Sequence, residues 1–409
     1  MNPRTTPRAL ALGVLLHVDR GKYASPTLDA ALLRGNLDSR ASGLATDLVY
    51  GTLRRLRWLD WSLAPLLHNS ARLPLPVRWA LRAGGFEKLF TDRPPHASVN
   101  AWVDIAGDKY PRLRGLVNAV LRRLELRPAS DAIRLGIPDF LYGEWLELFA
   151  DHSWIEAINE PAPLWLTLYS GGEELLQTQG VEFERGPVAG SVRVHGTAVR
   201  KIKAYRQGLA QPQNPSSLLA AQLLDARKGE RVLDLAGGAA LKAAWLASRG
   251  AEVISVDVSP ERQRAGKRNL ERLGLPVRFF THDLTRPLGE TAKKVLLDAP
   301  CLGTGTLRGH PELRMRLEPA KLRSAAKLQE QMLETAALAT ESGGLLVYSV
   351  CSLTRAEGAG QISSFLDRHP EFTLEPLELP VPVLKREPGV YVKPVDGLDG
   401  FYYARLRKK

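Results

Sequence analysis

Strand-like and helix-like segments alternate from Asn214 onward, and this alternation restricts the possible folds more than any other feature. The strand-like segments are short and rich in Val, Ile and Leu, and amphipathic segments separate them. Such alternation is typical of a mostly parallel, doubly wound sheet with helices on its faces. The sequence therefore predicts a Rossmann-like α/β domain. Its predicted strands are Arg231–Leu235, Glu252–Asp257, Val277–Thr281, Lys294–Asp298 and Gly344–Ser349.

Helices and a β-hairpin complete the predicted domain. The hairpin is expected at two further apolar runs, Gly389–Val395 and Gly400–Leu406. Apolar residues at a spacing of three and four indicate the helices between the strands. The predicted helices are Pro215–Leu224, Leu241–Ala247, Pro260–Leu273, Ala320–Ala339 and Glu357–Arg368.

Carboxylates stand at or just past the ends of four consecutive predicted strands, at Asp234, Asp257, Asp283 and Asp298. Ligands bind at the carboxyl ends of strands in an open α/β sheet, so these acids predict a nucleoside-bearing ligand. A single acid at such a position is more commonly a helix cap. The small residues after the first strand would let the backbone approach the ligand closely. They lack the GxGxxG pattern of dinucleotide sites, which favours S-adenosylmethionine as the cofactor.

The two cysteines of the chain each follow a predicted strand. A thiol at the end of a strand, as at Cys301 and Cys351, is a candidate nucleophile, and two thiols suggest one for attack and one for release. Two unrelated core thiols or a structural disulfide are the alternatives. A chain of this length with so few cysteines and no signal-peptide pattern is expected to be reduced and cytoplasmic.

Carbon 5 of cytosine is a reaction centre that needs a thiol of this kind. It becomes nucleophilic only after a thiolate adds to carbon 6, and it can then take a methyl group from a sulfonium. Asp298, three residues before Cys301, is placed to protonate or hydrogen-bond the ring at N3. A base must then remove the carbon-5 proton so that the first thiol can leave, and the second thiol could serve. Spacing alone does not say which cysteine attacks.

Residues 1–130 predict a helical bundle with a basic surface. They contain 20 Lys and Arg against 10 Asp and Glu, so most of the net charge of +12 belongs to this third of the chain. The asymmetry predicts a polyanionic partner, most simply a nucleic acid, and a solvated basic face without a partner is the alternative. Helical spacing is found at Ala9–Val18, Leu44–Leu56, Pro76–Leu89, Val99–Ala106 and Leu113–Leu124.

Residues 131–212 predict a small mixed α+β segment, with a helix-like run at Pro138–Ala150 and a strand-like run at Pro163–Tyr169. The predicted domains are therefore 1–130, 131–212 and 213–409. The apolar fraction of 44% suits a globular protein. No run reaches the roughly 18 apolar residues of a membrane span, so no membrane association is expected. The histidines show no metal-ligand spacing, and no metal is expected.

Both cysteine motifs resemble those of the RNA cytosine-5 methyltransferases, the Sun family. They read Asp-Ala-Pro-Cys-Leu-Gly-Thr-Gly over residues 298–305 and Tyr-Ser-Val-Cys-Ser-Leu over residues 348–353. The resemblance implies S-adenosylmethionine-dependent methylation of cytosine carbon 5 in RNA, through a covalent cysteine–cytosine adduct. Further similar segments are Gln213–Ser217, Arg308–Arg314, Leu328-Gln329 and Asp399–Ala404.

The first third of the chain carries a second resemblance. Ala45–Arg54 and Gly115–Arg123 are similar to the NusB-like RNA-binding domain that is fused to the bacterial 16S rRNA members of the Sun family. This resemblance implies a NusB-like domain over residues 1–130, with 16S rRNA as the expected substrate.

Roles for individual residues also follow from the resemblance. It implies that Cys351, in the later motif, is the nucleophile, that Cys301 assists product release and that Asp298 contacts the base. The family's cofactor loop usually reads Cys-Ala-Ala-Pro-Gly-Gly-Lys, whereas residues 236–242 here keep only the lysine. The implied cofactor contacts are Ala236, Gly237, Gly238, Ala239, Ala240, Leu241, Lys242, Asp257, Asp283 and Asp298.

Two other functions fit the same sequence. One is the same chemistry on tRNA. The other is a non-catalytic RNA-binding ribosome assembly factor whose altered loop no longer binds the cofactor, although a binding module has no need of Cys301, Cys351 and Asp298. A DNA cytosine methyltransferase is disfavoured, because it would use the thiol of the Pro-Cys motif and leave Cys351 without a role.

Overall fold

Two compact units make up the protein in the computed structural model, which describes residues 6–409. The first, called the helical unit, runs to Gly143 and also includes Gly309–Arg316. The second, called the sheet unit, comprises Glu144–Arg308 and Leu317–Lys409. The predicted domain limits of 1–130, 131–212 and 213–409 stay a prediction.

Helices α1–α7 form the helical unit, and the apolar spacing predicts five of them, α1, α3, α4, α5 and α6. Side-chain caps mark the beginnings of α1 and α3. Thr6 accepts a hydrogen bond from the N–H of Ala9 at 3.2 Å, and Asp38 accepts one from the N–H of Ala41 at 2.7 Å, which satisfies N–H groups of the first turn. The helices are α1 (Pro7–Asp19), α2 (Ala24–Gly35), α3 (Ser39–Leu63), α4 (Leu75–Phe90), α5 (Pro95–Lys109), α6 (Arg114–Arg123) and α7 (Asp131–Leu135).

Helix α2 is absent from the sequence prediction. Leu28, Ala31 and Leu32 stand at the spacing of an amphipathic helix and pack in or against the core, so the sequence contains a signal that the prediction missed. The other helices of the unit enclose a core that includes the fully buried Trp79 and Trp102.

The sheet unit contains a small four-stranded antiparallel sheet ahead of the large one. The chain reaches it through α8 (Asp139–Leu148). The spatial order is β2-β3-β1-β4, and every pairing is antiparallel. This is the mixed α+β segment that the sequence predicts. Its elements are β1 (Leu164–Leu168), α9 (Gly172–Gln179), β2 (Phe183–Arg185), β3 (Ser191–Val194), α10 (Lys203–Arg206) and β4 (Ala210–Pro212).

The large sheet has nine strands in the order β11-β12-β13-β9-β8-β5-β6-β7, with β10 paired to β13. The predicted strands and helices all form, and β5 and β6 have the predicted limits. The strands are β5 (Arg231–Leu235), β6 (Glu252–Asp257), β7 (Arg278–Thr281), β8 (Ala292–Asp298), β9 (Thr340–Val350), β10 (Phe372–Glu375), β11 (Val383–Arg386), β12 (Val390–Val392) and β13 (Phe401–Lys408). The helices are α11 (Pro215–Gln222), α12 (Leu241–Ser248), α13 (Pro260–Leu273), α14 (Pro319–Ala339) and α15 (Ala359–Arg368).

Only part of this sheet is parallel, so the prediction of a mostly parallel sheet needs correction. Strands β7, β6, β5, β8 and β9 pair in parallel, whereas β10–β13 join the edge of β9 through antiparallel pairings. The connections from β11 to β12 and from β12 to β13 are too short for the crossover that a parallel pair needs, so these pairs are antiparallel. The sheet is therefore mixed, and its parallel half brings the carboxyl ends of five strands to one edge.

Two glycines let the loop after β8 approach the segment before β13. A Cβ atom on Gly305 would lie 1.9 Å from the carbonyl oxygen of Gly400, so only glycine fits there. The N–H of Gly400 donates to the carbonyl of Gly305 at 2.9 Å, and the N–H of Gly305 donates to the carbonyl of Cys351 at 3.0 Å. This close approach holds three loops together at the carboxyl edge of the sheet.

Replacing Gly51 in α3 with alanine should destabilise the helical unit. The new Cβ would lie 1.9 Å from Cζ of the buried Phe86, and overpacking of this kind costs about 1–3 kcal/mol. Gly43 lies on the same helix, is exposed and has open space around its Cα, so Gly43→Ala should instead stabilise by about 0.5–1 kcal/mol. Urea unfolding of the two variants measures the difference. Equal unfolding midpoints would contradict the packing of α3 against Phe86.

Candidate active site

The two thiols lie next to each other at the carboxyl edge of the sheet. Strands β8 and β9 are parallel neighbours, with Asp298 opposite Ser349, and the N–H of Ala299 continues the pairing to the carbonyl of Ser349 at 3.0 Å. The two cysteines therefore follow their strands at the same level of the carboxyl edge of the sheet. The sulfur atoms of Cys301 and Cys351 are 3.3 Å apart, and both thiols are free and half-buried.

This contact couples the ionisation of the two thiols. The hydrogen bond to Cys351 raises the pKa of the Cys301 thiol well above its ordinary value, and burial, the charge of Cys351 and that of Glu357 raise it further. A second negative charge at this distance from the first is strongly disfavoured. The contact with Cys351 therefore opposes ionisation of Cys301.

A buried ion pair lies beside the thiols. The ammonium of Lys242, near the start of α12, donates to Asp298 at 2.5 Å and to the hydroxyl of Ser217 at 3.2 Å. The hydroxyl of Ser349 donates to the second oxygen of Asp298 at 2.7 Å. Burial alone would lower the pKa of Lys242, but the negative charges of Asp298, Asp234 and Cys351 outweigh burial and raise it. The lysine thus stays charged, and it orients the carboxylate.

A second buried carboxylate, Glu357, connects the loops that follow the two cysteines. One of its oxygens accepts from the N–H of Leu302 at 2.9 Å and from the side-chain amide of Gln329 at 3.1 Å. The other accepts from the hydroxyls of Ser352 and Thr354 at 2.5 and 3.0 Å. Sequence analysis did not select Glu357. Its only local signal is the Thr-x-x-Glu spacing from Thr354, which is the pattern of an ordinary helix cap.

A cavity at the ends of β6 and β7 brings three of the predicted cofactor residues together. Ala236, Asp257 and Asp283 line it, with apolar side chains that suit the faces of a purine. The apolar lining consists of Val258, Leu284, Pro300, Leu328 and Met332. Val258 is 62% exposed, so a large apolar side chain stands open at the rim where a ligand would cover it.

Both rim carboxylates are held in place by backbone N–H groups. Asp257 accepts from the N–H of Gly238 at 3.0 Å and from that of Ser259 at 2.7 Å. Asp283 accepts from the N–H and the hydroxyl of Thr285, at 3.0 and 2.8 Å, and these bonds lower its pKa. Two pre-oriented carboxylates fit the hydroxyl and amine donors of a nucleoside.

The cofactor loop has an unusual backbone. Ala236 and Ala240 adopt positive φ angles of 58° and 57°, a region that alanine visits at a cost of about 1–2 kcal/mol. Gly237 is required for space, because a Cβ there would lie 2.2 Å from the carboxylate of Asp234. That carboxylate is fully buried under the loop, and burial raises its pKa to about 7. Asp234 therefore does not line the rim, contrary to the expectation that all four strand-end acids do so.

The structure divides the predicted site residues into two groups. The first, at the cavity, comprises Ala236, Asp257 and Asp283. The second, around the thiols, comprises Lys242, Asp298, Cys301 and Cys351. Gly237, Gly238, Ala239, Ala240 and Leu241 form the turn between β5 and α12, and a cofactor contact for them stays a prediction.

Within residues 6–409, no helix is both long enough and apolar enough to cross a membrane. The same residues contain no group of three or more His, Cys, Asp or Glu side chains arranged to hold a metal ion.

Two family models match the chain in the places that the motifs indicate. Residues 221–407 match the family "16S rRNA methyltransferase RsmB/F", and residues 5–126 match the NusB family. Ribosomal RNA small subunit methyltransferase B of Thermus thermophilus is 56% identical over 403 residues, which are 98% of each chain. The chain belongs to the RsmB/F family of 16S rRNA methyltransferases. The enzyme of the same name from Erwinia tasmaniensis is 30% identical, with 96% of each chain covered.

Solved structures agree with this family assignment. The crystal structure of PH0851 matches 100% of this chain and 99% of its own, with a TM-score of 0.88 and 25% identity. A methyltransferase homologue from Pyrococcus horikoshii matches 68% of this chain and 97% of its own, with a TM-score of 0.60 and 26% identity. The predicted fold, with its NusB-like helical region and α/β methyltransferase domain, is confirmed.

Membership of the family also confirms the predicted enzyme class and cofactor, an RNA methyltransferase that uses S-adenosylmethionine. The cavity fits that cofactor, because it combines two oriented carboxylates, an open apolar rim and a loop whose backbone can approach a ligand.

Replacing Asp257 with asparagine should weaken S-adenosylmethionine binding by about 10- to 100-fold. Hydrogen bonds to a charged group contribute about 1.5–3 kcal/mol each, and the amide cannot accept from donors on both sides. Glu252 begins the same strand at the opposite edge of the sheet, so Glu252→Gln is the matched control and should bind normally. Isothermal titration calorimetry gives both dissociation constants. Normal affinity in Asp257→Asn would contradict the location of the cofactor.

Proposed function

We propose that this protein transfers a methyl group from S-adenosylmethionine to carbon 5 of a cytosine in 16S rRNA, through a covalent bond between Cys351 and the base. The observation that carries the proposal is the contact of two free thiols, 3.3 Å apart, beside the Lys242–Asp298 pair. Core thiols do not need such neighbours, and neither does a module that only binds RNA.

The first step is attack by Cys351. The raised pKa of Cys301 opposes a charge on that thiol, whereas the ammonium of Lys242 interacts favourably with a negative charge on Cys351. The thiolate forms a bond to carbon 6 of the cytosine, and the electron pair of the C5=C6 bond makes carbon 5 nucleophilic. This charge distribution supports the order of the two cysteines that the family resemblance implies.

Methylation of carbon 5 follows. Bound S-adenosylmethionine supplies an electrophilic methyl group on its sulfonium. Asp298, held by its bonds to Lys242 and Ser349, accepts a hydrogen bond from the exocyclic amino group of the base and fixes the ring beside Cys351. Asp257 and Asp283 hold the nucleoside part of the cofactor at the neighbouring strand ends.

Release depends on Cys301. Once the Cys351 sulfur is bonded to carbon 6 it carries no charge and is a weaker hydrogen-bond acceptor, so both contributions of Cys351 to the raised pKa of Cys301 become smaller. Cys301 can then give its proton to water and, as a thiolate, remove the proton from carbon 5. The electrons of that C–H bond restore the C5=C6 double bond, and the C6–S bond breaks to return Cys351 as a thiolate. The contact between the two sulfur atoms thus opposes ionisation of Cys301 before the attack and opposes it less after Cys351 has bonded to the base.

RNA is held mainly by the basic N-terminal region in this proposal. We assign residues 1–130 to RNA binding, 131–212 to a linking segment and 213–409 to catalysis, in the cytoplasm. The target base has to leave its stack to reach the thiols, so it lies in an unpaired or not yet folded part of the rRNA.

The covalent step is tested with the two single cysteine variants. Cys301→Ala should accumulate a protein–RNA adduct with unmodified 16S rRNA and S-adenosylmethionine, because the adduct forms but cannot be released. Cys351→Ala should form none and should lose methyl transfer, while its RNA binding stays near normal. Denaturing gels detect the adduct.

Three outcomes would contradict parts of this proposal. An adduct in Cys351→Ala in place of Cys301→Ala would exchange the roles of the thiols. An adduct and methyl transfer with tRNA but not with 16S rRNA would change the substrate. No adduct from either variant, with no methylation by the unaltered protein, would overturn the covalent mechanism on this RNA.

Removing two exposed arginines should weaken RNA binding in a salt-dependent way. Arg112 and Arg123 lie just before and at the end of α6 and are exposed. Removing one arginine–phosphate ion pair should reduce the slope of log affinity against log salt by about 0.7–0.9, so Arg112→Gln combined with Arg123→Gln should reduce it by up to twice that. Filter binding at several salt concentrations measures the slope. An unchanged slope, with S-adenosylmethionine binding intact as the control, would show that this surface does not contact RNA.

A further inference from the structure

Glu357 has surroundings that its place in the sequence does not explain. It lies just before α15, where an acid normally faces solvent, yet its side chain is fully buried. Its carboxylate contacts the residue after each cysteine, the N–H of Leu302 at 2.9 Å and the hydroxyl of Ser352 at 2.5 Å. A buried charge is costly unless it is well hydrogen-bonded, so this arrangement calls for a functional reason.

The carboxylate has no capacity left for proton transfer with a substrate. Each oxygen accepts two hydrogen bonds, from Leu302 and Gln329 on one side and from Ser352 and Thr354 on the other. Four donors satisfy the lone pairs that a carboxylate offers. Glu357 therefore fixes its neighbours in position and does not act as an acid or base.

Other bonds join the same two loops around Glu357. The amide of Gln329 also donates to the carbonyl of Pro300 at 2.9 Å, directly before Cys301. The hydroxyl of Thr304 bonds to that of Ser352 at 2.9 Å and accepts from the N–H of Leu353 at 2.7 Å. The carboxylate is the centre of this network, because it is the group that contacts both loops and Gln329.

We propose that Glu357 is a positioning residue for both thiols: it joins the loop after Cys301 to the loop after Cys351 and thereby fixes the contact between the two sulfur atoms. The inference rests on the proposed function, since the order of attack and release depends on that contact. Without the carboxylate, the bonds to Leu302 and Ser352 are lost, and the orientation of each thiol toward the base is less firmly fixed.

The charge of Glu357 has a second effect, on Cys301. Four causes raise the pKa of Cys301: the hydrogen bond to Cys351, burial, the charge of Cys351 and the charge of Glu357. The charge of Glu357 is the smallest of the four. Removing it should let Cys301 ionise at lower pH, because a neighbouring anion opposes the formation of another. The other titratable groups around the thiols are Cys351 and Tyr348 from β9 and its loop, Lys242 from α12 and Asp298 from β8.

Two variants of Glu357 separate position from charge. Glu357→Ala removes the network and should lower kcat by about 100-fold, the size of effect that a displacement of about 1 Å produces. The KM for RNA and the dissociation constant for S-adenosylmethionine should stay within about threefold of normal, because their binding residues are untouched. Glu357→Gln keeps an oxygen for Leu302 and Gln329, and the hydroxyls of Ser352 and Thr354 can rotate to accept from its amide. The kcat of Glu357→Gln should therefore be at least about tenfold higher than that of Glu357→Ala.

The charge effect is measured on Cys301 alone. In a Cys351→Ala background, the pH profile of Cys301 alkylation by iodoacetamide should shift to lower pH when Glu357→Gln is added. Glu375→Gln is the control, because its carboxylate bonds to Arg405 and Arg407 elsewhere in the same unit and should change neither the rate nor the profile.

The proposal is overturned if the kcat of Glu357→Ala stays within about threefold of that of the unaltered protein. It is also overturned if the kcat of Glu357→Gln is no higher than that of Glu357→Ala and the pH profile of Cys301 alkylation does not shift. If Glu357→Ala does not fold, the rate and profile of Glu357→Gln decide. Failure of the proposed function gives different results. The unaltered protein would make no 5-methylcytosine, and Cys301→Ala would form no adduct with RNA. The alkylation profile would still test the effect of Glu357 in that case.

Discussion

The parallel pairing of β8 with β9 is the constraint on which the site depends. With Asp298 opposite Ser349, each strand ends at the same height, and the loops beyond them bring Cys301 and Cys351 to a sulfur–sulfur distance of 3.3 Å. A slip of the register by one residue would turn the alternating side chains of one strand to the other face of the sheet. The chemistry of this protein is therefore a consequence of strand register.

The contact between the two sulfur atoms gives the two thiols different roles. A negative charge on one opposes a charge on the other, so the pair supplies a single nucleophile at first, and bond formation to the base frees the second thiol to ionise. The surrounding charges are unequal, with the ammonium of Lys242 acting on Cys351 and the carboxylate of Glu357 acting on Cys301. These two neighbours distinguish thiols that are otherwise alike.

The sequence predicted the parts of the fold that follow from periodicity, and it missed those that depend on contacts distant along the chain. Strands β5 and β6 were predicted with their limits, because apolar runs between polar ends are explicit in the sequence. Helix α2 was missed although Leu28, Ala31 and Leu32 stand at helical spacing. The mixed character of the sheet was missed because strand direction depends on how the strands connect. The thiols and Asp298 were found through their motifs. The burial of Asp234 and Glu357, and the pairing of Lys242 with Asp298, required the folded structure.

The central claim is that Cys351 forms the bond to the base and Cys301 does not. RNA that carries 5-fluorocytidine at the target position tests it on the unaltered protein, because fluorine cannot leave carbon 5 as a cation and the adduct persists. After digestion, mass spectrometry identifies the peptide that carries the nucleotide. The account predicts that this peptide contains Cys351 and that Cys301 is still available for alkylation. A nucleotide attached to Cys301 would contradict it.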